Sequence, residues 1–223
     1  MTLKAVLLDF NGVIINDEWI HRELIADILI SENLRPVVDE FQTLCLGRSD
    51  RACLRDILAQ RGRVVSDQYL DKLIQQKTQA YQQKLANLAN LPIYPGIKAF
   101  LAKLHQQQVA IALVTGALRS EVAVVLEKSG IKSYFSVIVG GDDITKSKPE
   151  PEGYLLAVEQ LQLQPDECLA IEDSYPGIEA AKKAGIPVVG IANTYPLHLL
   201  QRRANWTVDY LAELELERLL GKP

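Results

Sequence analysis

Long apolar runs are missing from this chain. No stretch approaches the roughly 18 apolar residues that mark a bilayer-spanning helix. The opening Met1-Thr2-Leu3-Lys4 leads straight into a short strand-like segment, so neither a spanning helix nor a cleaved leader is expected. Charge of one sign is not in excess either, with 24 Lys and Arg against 28 Asp and Glu and a net charge of −4. That balance offers no basic footprint for nucleic acid. Cysteine is confined to Cys45, Cys53 and Cys168. Their odd number and lack of metal-type spacing predict reduced, mostly buried thiols in a cytoplasmic protein. No internal repeat stands out.

What is present is ordinary globular material, 48% hydrophobic and 23% charged, which excludes wholesale disorder and fibrous architectures. At about 150 residues per domain, 223 residues suggest one core carrying an inserted piece. Lys4-Ala5-Val6-Leu7-Leu8-Asp9 is a continuous apolar run ending in an acid, the mark of a strand buried on both faces. From about Asp17 to Asn90 the pattern is helical instead. Ile20, Leu24, Ile25, Ile28 and Leu29 recur at helical spacing, as do Leu70, Leu73, Ile74, Tyr81, Leu85 and Leu88, and 48–61 also reads as helix. The Gln-rich stretch 75–83 reads as a solvated helix face, because the apolar stripe runs through it.

After Pro95-Gly96 helix and strand alternate. Helices are predicted over 97–107, 118–129, 152–161 and 178–184, with strands over 109–114, 136–139, 168–171 and 188–191. Gly130 and Gly185 stand where helix C-caps belong, and a last helix is expected from Leu211 through Leu214, Leu216 and Leu219. Such alternation means βαβ units and a parallel sheet. The expected fold is therefore α/β: a doubly wound, Rossmann-like core of residues 1–16 and 93–223, with an all-α insertion of 17–92.

Four polar clusters fall at predicted strand ends or just beyond: Asp9 with Asn11, Thr115-Gly116, Lys148-Pro149 and Glu172-Asp173-Ser174. In a parallel sheet those ends share one rim. Acids bind a hard cation such as Mg²⁺ through oxygen, while a lysine, a hydroxyl and free N–H groups hold phosphate oxygens. A carboxylate is also a nucleophile toward phosphorus. The rim points to metal-assisted phosphoryl transfer.

Those segments, in this order, resemble the four motifs of the haloacid dehalogenase superfamily. The insertion after the first motif is similar to its small helical cap. The stretch Asn16-Asp17-Glu18-Trp19-Ile20-His21 resembles the β-phosphoglucomutase-like and phosphoglycolate-phosphatase-like branch. The resemblance implies that Asp9 is the nucleophile and forms an aspartyl-phosphate. It implies a Mg²⁺ site on Asp9, the main-chain carbonyl of Asn11, Asp173 and Glu172. Thr115 and the Gly116 N–H would hold the phosphoryl group, and Lys148 would neutralise charge on it and on Asp9. Arg48 and Arg51, in a loop resembling the substrate-specificity loop of the cap, become candidates for a second anionic group, and His21 for the substrate side of the hinge. The implied protein is a monomer or weak dimer acting on a small phosphorylated metabolite, with no nucleic acid or membrane as partner.

Asn11 departs from the pattern, because the family's phosphatases and mutases carry Asp there as general acid and base. An amide cannot exchange a proton at neutral pH. General acid–base catalysis is worth about 10²–10⁴-fold, so attenuation of that order is expected. Four explanations stay open: a phosphatase for good leaving groups, a phosphate-ester binder, a substitution made to trap a complex, or deamidation at Asn11-Gly12. A phosphomutase remains the alternative enzyme; dehalogenation fits the residues around Asp9 less well.

Overall fold

The first strand, β1 (Ala5–Leu8), is buried at every residue, which is why it reads as an unbroken apolar run. Val6 and Leu8 pack into one core layer, Ala5 and Leu7 into the other. In the computed structural model, which describes residues 3–215, the chain then enters four helices. These are α1 (Glu18–Ser31), α2 (Glu40–Leu44), α3 (Asp50–Gln60) and α4 (Asp67–Asn87). Ser49 and Ser66 cap α3 and α4 by accepting hydrogen bonds from the Ala52 and Tyr69 N–H groups. The four helices share a core that includes Ile25, Leu29, Leu54, Ile57, Leu58, Leu70 and Leu73. The Gln-rich stretch lies inside α4 as expected, and its stripe ends in Tyr81 and Leu85, which pack into a core layer of the sheet.

Alternation follows: α5 (Ile97–Gln106), β2 (Ala110–Val114), α6 (Arg119–Ser129), β3 (Val137–Val139), α7 (Glu152–Leu161), β4 (Cys168–Glu172), α8 (Tyr175–Lys183), β5 (Val188–Ile191), α9 (Leu197–Leu200) and β6 (Trp206–Val208). The strands form one parallel sheet in the order β3-β2-β1-β4-β5-β6. Helices α5 and α6 cover one face; α7, α8 and α9 cover the other. Gly130 and Gly185 take the positive φ angles expected of helix ends, 69° and 78°. Strand order reverses at β1, so β1 and β4 lie side by side and the Asp9 N–H donates to the Ile171 carbonyl at 3.0 Å. The crevice beyond such a reversal is where open α/β sheets bind ligands.

Two expectations are corrected. Cys45 and Cys53 are joined in a disulfide, and Cys168 alone is a free, buried thiol, pushed up to about 11 by burial. The turn from the end of α2 into α3 brings the two Cα atoms to 4.5 Å, a proximity that linear spacing does not reveal. The predicted last helix is a single 3₁₀ turn over Leu211–Glu213, with Leu214 extended; Leu216 and Leu219 lie outside the described residues. Leu211 and Leu214 are nonetheless buried against a core layer of the sheet, so tertiary contact and not a helical stripe explains their apolarity. Among the described residues no helix is long and apolar enough to cross a membrane.

Candidate active site

Asp9 follows β1, Glu172 ends β4 and Asp173 follows it, while Lys148 comes from the loop before α7. All four side chains are buried. The Lys148 Nζ lies 2.9 Å from Asp9 Oδ1 and 2.6 Å from Glu172 Oε1, and it donates to the Val114 carbonyl at 3.1 Å. Tyr154 donates to the same Glu172 oxygen at 2.6 Å, and Thr194 donates to Asp173 Oδ2. Burial, and then the charge of Asp9, push the Glu172 carboxyl up to about 7 against the pull of Lys148. Burial, Asp9 and Glu172 push Asp173 well above the carboxylate range. Burial disfavours charge on Lys148, yet Asp9 and Glu172 together hold it protonated.

Three acids face one ammonium, and the raised Glu172 and Asp173 carboxyls show that Lys148 alone does not offset three buried negative charges. Asp9, Glu172 and Asp173 can each offer an oxygen, all within 4.8 Å of one another. Asp173 Oδ1 is buried without a hydrogen-bond partner. At Gly12, with φ +79°, a Cβ would lie 1.9 Å from Asp173 Oδ2, so only glycine lets the loop sit against that carboxylate. A hard divalent cation with oxygen ligands fits this donor set.

Asp9 faces a pocket between the strand ends and the inserted helices. Its walls include Asn11, Glu18, His21, Phe41, Gly47, Arg48, Lys77, Thr115 and Gly116, and its volume is about 40 Å³. The insertion presses against Gly116: a Cβ there would meet the Arg48 carbonyl carbon and the Ser49 nitrogen at 2.8 Å. The Ser49 N–H also donates to Ser147 Oγ across the gap at 2.7 Å. Thr115 accepts from the Ala117 N–H at 3.0 Å, which leaves its hydroxyl hydrogen free to donate.

The Asn11 amide nitrogen donates to Asp17 Oδ1 at 2.9 Å and lies 3.0 Å from His21 Nε2. His21 Nε2 is 3.3 Å from Asp17 Oδ2, to which the Tyr81 hydroxyl also donates, and the His21 ring stacks on Tyr81 at 4.7 Å. Burial opposes charge on Asp17, but His21 and the hydrogen bonds of Asn11 and Tyr81 outweigh it and hold the carboxyl below its usual range. His21 is in turn held above its ordinary value, as Asp17 overcomes burial and the nearby charge of Lys77. Glu18, on the pocket wall, is pushed up to about 7 by burial, with the charges of Asp17 and Asp9 adding to it.

Thus Asp9, Lys148, Glu172 and Asp173 meet, and Asn11, His21, Thr115 and Gly116 line the pocket beside them. The arginines are different. Arg48 lines the wall, yet its guanidinium is engaged by Asp56 at 2.7 Å and the Leu44 carbonyl at 2.9 Å. Arg51 is not brought to the pocket, because its position on α3 turns it toward Asp67 and Asp71 of α4. Sequence reasoning missed Asp17 and Lys77. Lys77 is buried against Asp50 at 2.7 Å and Glu121 at 3.3 Å. The signal was available: position 77 falls on the stripe through Leu73, Ile74 and Tyr81, where a lysine has no packing reason to be.

A family model described as Haloacid dehalogenase-like hydrolase matches residues 6–191. The chain belongs to this family. Within it, this haloacid dehalogenase-like hydrolase falls in the branch of CbbY, phosphoglycolate phosphatase and β-phosphoglucomutase. It is 27% identical over 217 residues to Protein CbbY of Rhodobacter capsulatus, covering 95% of each chain. It is 28% identical over 185 residues to the phosphorylated carbohydrates phosphatase of Thermotoga maritima, covering 82% of each. The crystal structure of β-phosphoglucomutase from Clostridium difficile superposes with a TM-score of 0.87 at 23% identity, covering 99% of this chain and 96% of that one. A likeness at that identity speaks for the fold.

Proposed function

We propose that this hydrolase is a Mg²⁺-dependent phosphatase of a small phosphorylated metabolite, working through an aspartyl-phosphate on Asp9. The observation that carries the reading is Asp9 itself, open to the pocket on one side and held 2.9 Å from Lys148 on the other, within reach of two more buried acids. Asp9, Asp173, Glu172 and the Asn11 main-chain carbonyl would hold the cation, which when bound offsets the charge of Asp9 and of the phosphoryl group. Lys148 orients Asp9 through its 2.9 Å contact, and Thr115 with the Gly116 N–H cradles the phosphoryl oxygens. Residues 1–16 and 93–223 act as the catalytic core, and 17–92 as a cap that closes over it to exclude bulk water. A phosphatase is favoured over a phosphomutase because, of the cations expected to grip a second phosphate, Arg51 is turned to Asp71 and Arg48 has both terminal nitrogens held by the Leu44 carbonyl and Asp56, with only its Nε unpaired.

The test is a screen of phosphorylated metabolites, sugar phosphates first, at saturating Mg²⁺ with Asp9→Asn as the blank. Phosphate release from at least one compound, lost in Asp9→Asn and on chelation, is the expected outcome. Equal release from both proteins would overturn the reading.

A further inference from the structure

We infer that this site serves phosphoryl compounds whose leaving oxygen departs without a proton, acyl and aryl phosphates, ahead of alkyl and sugar phosphates. The inference rests on the phosphatase reading above and deepens it. Its ground is the orientation of Asn11. An amide presents a donor end and an acceptor end, and which end faces the substrate depends on what holds the other. Here the buried Asp17 carboxylate takes the NH₂ end at 2.9 Å, and His21 Nε2 stands 3.0 Å from the same nitrogen. Flipping the amide would set its oxygen against the Asp17 oxygen, two acceptors with no hydrogen between them. Asp17 is itself fixed by Tyr81, whose hydroxyl donates to its other carboxylate oxygen. Asn11 lines the pocket beside Asp9, and an amide whose NH₂ end is taken by Asp17 has no proton to give a leaving group.

The consequence differs for the two steps. In the first, an Asp9 oxygen bonds to phosphorus while the bond from phosphorus to the leaving oxygen breaks and that oxygen takes the electron pair. An alkoxide is too basic to leave unaided, whereas a carboxylate or phenolate leaves as the anion. In the second, water adds to phosphorus, the Asp9 oxygen departs as a carboxylate, and the surplus proton of the water passes to the released phosphate or to solvent. That second step is the hydrolysis of an acyl phosphate, so it makes the same modest demand. Asn11 Oδ1 can accept a hydrogen bond from the attacking water and orient it, and phosphoryl transfer with a loose transition state asks little more of a base. A carboxylate is still present in the cluster, at position 17 instead of 11, where it positions Asn11 and does not face the leaving group.

The experiment measures kcat/KM for acetyl phosphate, aryl phosphates of graded leaving-group acidity, glycerol phosphate and a sugar 6-phosphate at saturating Mg²⁺, with Asp9→Asn as blank. The expected result is a steep dependence on leaving-group acidity, with the alkyl compounds about 10²–10⁴-fold behind. The exchange Asn11→Asp/Asp17→Asn returns an acid to position 11 without changing the charge of the cluster, and should narrow that ratio. Alkyl and aryl rates within about tenfold of one another in the native protein would overturn the inference, since Glu18 or His21 would then be delivering the proton. An exchanged protein that folds and keeps the full ratio overturns it as well; if the exchange does not fold, the native series decides alone. Those outcomes leave the phosphatase reading intact. Release from none of the compounds above the blank defeats both.

Discussion

Lys148 is the residue on which the acidic floor depends. It is buried, and its ammonium touches both Asp9 and Glu172. Removing one member of a buried ionic group leaves the others uncompensated, which costs about 3–5 kcal/mol. Lys148→Met should therefore lower the unfolding free energy by about that amount in chelator, read by urea denaturation. Mg²⁺ should recover part of the loss, because a bound dication takes over the missing positive charge; no recovery would count against the cation site. At this scale the residues that gather at the rim were legible, since Asp9, Thr115 and Glu172-Asp173 each interrupt or close an apolar strand, and a polar group there has no packing role. Arg51 was misplaced because its role depends on which side of α3 it occupies, and a charged loop does not announce that. Asp17 escaped notice for the opposite reason. An acid at the start of a helix reads as an ordinary N-terminal residue, and its burial against Asn11 and Tyr81 appears only in three dimensions.

Among the elements, the loop between α2 and α3 bears most directly on the pocket. It carries Gly47 and Arg48 on the pocket wall and is bracketed by the Cys45–Cys53 disulfide. A cross-link over so short a loop is worth about 2–3 kcal/mol when it constrains the unfolded chain. Reduction should lower stability by about that much and speed amide hydrogen exchange over 46–52 more than in the sheet, measured by mass spectrometry with and without a dithiol. Uniform exchange before and after reduction would deny the cross-link any hold on the loop. The strands β1, β2, β4 and β5 were readable because burial on both faces leaves almost no polar residue inside them. β6 was not, being a three-residue edge strand with Trp206 half exposed. Its place comes from pairing with β5, which a local pattern does not encode.

For the molecule as a whole, the inserted helices are tied to the sheet layer through a buried ionic cluster. Lys77 of α4 meets Asp50 of α3 and Glu121 of α6, and Thr78 donates to Glu121 at 3.1 Å. Burial works against the charge of Lys77, but Asp50 and Glu121 raise its pKa above the ordinary 10.5. A raised folded-state value means the contribution is complete below the unfolded value and fades as pH climbs past it. The melting temperature of the native protein should thus fall more steeply above about pH 10.5 than that of Lys77→Met. Parallel curves would show that the cluster contributes nothing to holding the parts together. The order of the strands has a further consequence during synthesis. β1 emerges first from the ribosome but takes its place between β2 and β4, and β4 ends at Glu172. Until that point has been translated the centre of the sheet is incomplete, so a nascent or truncated chain carries Asp9 without the lysine and acids that would arm it.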